Sequence, residues 1–177
     1  MKIYHLAILS VLSLFFSTGA GHTAPPASMN HGHAGQYSDR AFLSGMIGHH
    51  QGAVDMSTKI LASTKDKQIK DWAEDIIEDQ NKEIKQMQTM VGGMGGLDKG
   101  AHDTMLRMDM SAHEGKDSDS AFVAAMFAHH KDALNMSISA LMYSNNREVI
   151  KLAEDIIKSQ ADEMAEFRFW GLKKEGK

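Results

Sequence analysis

The chain has no cysteine in 177 residues. No disulfide can form, no thiolate can bind a metal, and no lipid can be attached at a Cys side chain. Proline is nearly absent too: the only two, Pro25 and Pro26, lie in one stretch near the N-terminus. No apolar run spans a bilayer comfortably, since that takes roughly 20 residues and Ile3 to Phe16 falls short of it. The formal charge is −4, or −5 once Lys2 is removed. This mildly acidic balance argues against a nucleic-acid partner, whose phosphates recruit Lys and Arg. Two metal motifs are also missing: no H-E-x-x-H of a zinc hydrolase and no Glu-x-x-His pair of a di-iron bundle.

What is present begins with a leader. Lys2, the apolar run and the small residues Ser17, Thr18, Gly19 and Ala20 have the layout of a cleaved signal peptide. We therefore expect residues 1–20 to be removed and the mature chain to be periplasmic or secreted. In such an oxidising compartment thiols tend to become disulfides, so a metal would meet only imidazole, thioether, carboxylate and backbone donors. Roughly 155 residues remain, enough for one domain with a real core. Residues 21–37, rich in Gly, Ala, Ser and His, read as a disordered tail carrying Met29, His31 and His33.

Helical periodicity starts at Asp39, behind Ser38 as a cap. Phe42, Met46, His49, Ala53, Met56 and Ile60 recur at spacings of three and four. A second amphipathic run, from Ile69 to Val91, is ended by the GGMGG cluster at residues 92–96. The pattern then returns with an offset of 80. Residues 39–90 against 119–170 give 17 identities in 52 ungapped positions. Asn145 with Glu148 is the expected capping pair of the last helix. The chain is thus two helical hairpins joined by a Met/His-rich segment, 91–118. We expect an all-α four-helix bundle over residues 38–174, its topology left open between up-and-down and crossover.

The Met and His placement is what carries chemistry. Met46, one turn before both His49 and His50, can bring three donors together on one helix. Met126, His129 and His130 repeat the arrangement. Met56 and Met136, two turns beyond the first His, line the same stripes. The bland alternative is packing: one His buried, one in solvent, with Met filling gaps. But a buried imidazole without a partner costs about 1–3 kcal/mol, and the repeat would incur that cost twice. With each hairpin folded about its turn, His49 falls level with Gln80 and Met46 with Glu83. His129 with Gln160 and Met126 with Glu163 follow suit. These polar residues are candidates for orienting the imidazoles.

Thioether with imidazole selects copper, cuprous above all, with silver as its mimic and cupric ion as a further candidate. The joining segment adds His102, Met105, Met108, Met110 and His113. Cleavage after Gly19 would also leave His22 third in the mature chain, where amine, amides and imidazole make a square-planar cupric site.

Phe-x-x-x-Met-(Ile/Phe)-x-His-His, a Met six residues on, then Ala-x-x-Ile-Ile-x-x-Gln-x-x-Glu resembles the exported family called Domain of Unknown Function 305. The likeness covers residues 39–90 and 119–170. It implies a ferritin-like bundle and, for copper-binding members, a role in copper resistance. The family commonly reads His-His-Gln-Gly-Ala; the first copy keeps this at His49 to Ala53, while the second has Lys131 and Asp132.

The expectation is a copper binder, not an enzyme, that sequesters copper or hands it on to a membrane sensor kinase or exporter. The rivals are a metal-independent module docking such a membrane partner, and a metal oxidase.

Overall fold

The computed structural model describes residues 37–112 and 118–176. The expected leader, the tail with His22, Met29, His31 and His33, and His113 lie outside the described residues, as does the side chain of Met110. Five helices follow one another: α1 (Asp39–Leu61), α2 (Lys67–Gly93), α3 (Lys99–Ala112), α4 (Asp119–Tyr143) and α5 (Arg147–Lys174).

Each bundle helix starts where a short polar side chain can accept from the first free amides. Ser38 Oγ accepts from Ala41 N, and its repeat partner Ser118 does the same for Ala121. Asp66 caps α2. The cap of α5 is Asn146, not Asn145: its Oδ1 accepts from the Glu148 amide at 2.9 Å, while Ser144 Oγ accepts from the Asn146 amide and sets the turn. α2 ends at the glycine cluster, where Gly95 and Gly96 take positive φ values of 89° and 88° that glycine adopts at no steric cost.

The ferritin-like four-helix bundle is the fold, formed by α1, α2, α4 and α5. Its core consists of two apolar clusters, and their membership shows how the helices run. The first joins the start of α1 (Phe42, Leu43, Met46) to the ends of α2 (Ile84, Met87) and α4 (Ala140) and the start of α5 (Leu152, Ile156). The second joins the end of α1 (Ile60) to the starts of α2 (Ile69, Trp72) and α4 (Phe122, Met126) and to Phe167 of α5. Hence α1 is antiparallel to α2 and α4, while α2 and α4 run the same way.

That direction requires the chain to return the length of the bundle between α2 and α4. The joining segment is therefore a crossover, and 14 residues of it form α3, about 21 Å long at ~1.5 Å per residue. α3 lies on the outer face of α1, along a groove made by small residues. A Cβ on Gly48 would sit 2.4 Å from the His102 carbonyl oxygen, so only glycine permits this approach. Asp98 N donates to the buried Ser44 Oγ (2.9 Å), and Arg40 Nε donates to Gly96 O (2.8 Å), fixing the entry to α3.

Candidate metal centre

Between the two apolar clusters lies a polar layer. His49, His50, His129 and His130 are all essentially buried, at 0, 0, 2 and 0 % exposure. Neither pair divides into one packed ring and one solvated ring. The antiparallel crossing of α1 and α4 brings the pairs to one level: the His49 and His129 ring centroids are 3.7 Å apart, and His129 Nε2 is 3.0 Å from the His49 carbonyl oxygen.

The outer ring of each pair is held by the partner helix of its own hairpin. His50 Nε2 lies 2.7 Å from Glu83 Oε2, and His130 Nε2 contacts Glu163 Oε2 in the same way. A carboxylate only accepts, so Nε2 carries the proton in both rings. Each Nδ1 then holds the lone pair, and both are buried without a hydrogen-bond partner. Glu83 thus engages His50 from one turn further along α2 than the expected levels imply. Gln80 and Gln160 are buried, but the Gln80 Oε1 and both Gln160 amide atoms have no partner, so they do not orient a ring through these atoms.

His49 is the least supported of the four, with neither ring nitrogen hydrogen-bonded. Burial first, then the neighbouring His129, His50 and His130 rings, hold its imidazole well below the ordinary His range. Burial also lowers His130, against the opposing pull of Glu163. Both are therefore neutral at physiological pH, the state in which imidazole can donate a lone pair. On the outer side, burial and the Glu163 and Glu83 carboxylates raise Asp79, so three acidic groups gather beside the two His–Glu contacts.

The methionines distribute across the layer. Met46 and Met126 are fully buried but belong to opposite clusters, one on each side of the His level. Met136 packs at the Met46 end and Met56 at the Met126 end. The thioethers are thus grouped between repeats rather than within one, which sequence spacing alone did not suggest. On α3, His102 and Met105 are partly buried and Met108 is 58 % exposed. Among the described residues no three His, Asp or Glu side chains are arranged to hold a metal. Imidazole and thioether together are the donors this layer offers. The residues that pattern reading missed are Gly45 and Gly48. Their small-residue spacing on α1 was the available signal for the groove that seats α3.

The family model described as Domain of unknown function (DUF305) matches residues 18–91 and 92–171. The fold is similar to CopM in its Cu(I)-bound form, at 30 % identity and a TM-score of 0.66, covering 76 % of this chain and 96 % of that one. The Cu(II)-bound form of CopM gives 32 % identity and a TM-score of 0.63 over the same shares. A DUF305 protein of Streptomyces coelicolor shares the fold at 22 % identity and a TM-score of 0.63, covering 73 % of this chain and 88 % of that one. An uncharacterized protein of Acanthamoeba polyphaga mimivirus is 45 % identical over 53 residues, or 30 % of this chain. The match spans 35 % of that relative's length. Among the described residues no helix is long and apolar enough to cross a membrane.

Proposed function

The chain belongs to the DUF305 family, and on that premise we propose that it is an exported copper-binding protein that sequesters or hands on copper. Cuprous ion is the preferred cargo, with silver and cupric ions also accepted. The observation that carries this reading is the buried histidine layer. Four buried imidazoles meet at one level, with both His49 ring nitrogens and the Nδ1 atoms of His50 and His130 without a hydrogen-bond partner and a buried Met on either side. Leaving such nitrogens unpaired costs about 1–3 kcal/mol each, and a bound soft ion would offset that cost. Similarity to CopM, which has been solved with Cu(I), Cu(II) and Ag, supports the same cargo.

In this reading Met46, His49, His50, Met126, His129 and His130 supply the principal ligands. Met56 and Met136 lie alongside. Glu83 and Glu163 hold the outer rings in the tautomer that presents Nδ1 inward. The chemistry is binding rather than turnover: thioethers carry no titrating proton and survive as ligands where thiols oxidise. His102, Met105, Met108, Met110 and His113 of the crossover and Met29, His31 and His33 of the tail are further capture points.

Competition of the protein with a colorimetric chelator for cuprous ion tests this. Substituting His49/His50 or His129/His130 by Ala should each weaken the tight site by at least about 100-fold, because one layer uses both pairs. Loss of half the stoichiometry in each variant would indicate two separate sites, and unchanged binding would defeat the assignment.

One observation favours a second reading, a module that docks a membrane sensor or transporter without metal. The outer face of α4 leaves Phe127, Ile138, Leu141 and Met142 exposed. Metal-independent binding to such a partner, lost on substituting these residues, would support it.

A further inference from the structure

The central layer is sealed, yet two partly exposed methionine side chains meet at the junction of α1, α3 and α4, with His102 one turn away on α3. Met105 comes from the crossover helix and Met136 from the second repeat, 31 positions on. Their Cγ and Cε atoms lie 3.3 and 3.6 Å from the point a Cβ on Gly45 would occupy, so both side chains enter one space. That space exists because position 45 is glycine: an alanine there would press on Met105. Both methionines are partly exposed. His102 stands one turn before Met105 on α3, within side-chain reach of it. Its Nδ1 is 2.9 Å from Asp103 Oδ1, which accepts, so in the neutral tautomer that binds a metal Nε2 is the atom with the lone pair.

We propose that Met105, Met136 and His102 form a separate, solvent-reachable site for a soft monovalent cation, cuprous or silver ion. The donors are of the soft and borderline kinds that select such ions over zinc, calcium or magnesium. They come from three positions that only the crossover brings together. The second repeat has no counterpart: its equivalent of Gly45 is Ala125, and no α3-like helix covers that face among the described residues. Among the described residues the site occurs once. Two thioethers and one imidazole at a partly exposed junction hold an ion less tightly than the buried layer, and exchange it faster. This proposal rests on the copper reading for its biological sense but not for its chemistry.

The test is a titration of the full chain with silver ion, followed by NMR of methyl-labelled methionine. The Met105 and Met136 methyl signals should shift together in one step, distinct from the step that moves Met46 and Met126. Met105→Leu/Met136→Leu should lose one equivalent with helicity unchanged. His102→Gln should weaken that step about tenfold without perturbing packing. In the His49/His50 and His129/His130 variants the junction step should persist while the central step disappears. Unmoved Met105 and Met136 signals, or full stoichiometry in the double Met variant, would overturn the junction site and leave the central assignment standing. Persistence of the central step in the His variants would overturn the central assignment alone.

Discussion

The two hairpins share 17 of 52 residues and the same His–His core, yet they present opposite outer faces. On α1 that face is covered: Ser44, Ile47, Gly48 and Gly52 are buried, with α3 packed on it. On α4 the equivalent Ala124, Phe127, Ala128 and Asp132 are exposed. A covering helix needs a groove as well as an apolar stripe. Gly48 lets the backbones approach and Gly45 leaves room for the Met105 side chain, whereas Ala128 and Ala125 fill the matching positions with methyl groups. Two small substitutions between the copies thus separate a helix covered by α3 from one with no such cover among the described residues.

Substitutions that exchange these features sharpen the contrast. Gly48→Ala drives a Cβ against backbone that cannot yield cheaply and should destabilise by about 3 kcal/mol, the upper end of the usual 1–3 kcal/mol for overpacking. Ala128→Gly should cost only about 1 kcal/mol, the helix-propensity difference. Urea midpoints for both variants decide it; equal losses would mean that the groove is not what seats α3.

Acidification should unfold the protein through the layer common to both halves. His49 and His130 have native pKa values below their unfolded ones, so below about pH 6.5 the unfolded chain binds more protons and stability falls with pH. Each such imidazole contributes a slope approaching about 1.4 kcal/mol per pH unit across that window. Denaturant melts at pH 7.5, 6.5 and 5.5 should show this, and His49→Gln should flatten it. A pH-independent midpoint would contradict the burial of neutral rings.

The smallest contrast lies at the crossover's entry. Ser44→Ala removes the acceptor for the Asp98 amide and should cost about 1 kcal/mol. Ala124→Ser, at the matching exposed position, should change stability by less than about 0.5 kcal/mol.

Much of this was legible in the chain. The period of Phe42 to Ile60, the offset of 80, the glycine stop after α2 and the Ser38 cap are local signals, and local geometry dictates them. The four histidines stood out as candidates because two apolar stripes carried them at the same place. Their partners were harder to read. Levels counted from the hairpin turns matched Glu83 to Met46, but a Glu side chain reaches along its helix, and it engages His50 instead. Nor did spacing show that Met136 sits with Met46 rather than beside its own His pair.

The sequence by itself determined the helices, the doubled hairpin, the absence of any thiol, and the soft donors that favour copper, because each follows from residue type and from spacing within one element. Only the tertiary structure decided that the hairpins meet antiparallel through a crossover. That choice depends on long-range packing: a glycine groove on α1 seats α3, and α3 carries the chain back along the bundle. From it follow the level meeting of His49 with His129, the Met sets shared between repeats, and the junction of Met105 with Met136.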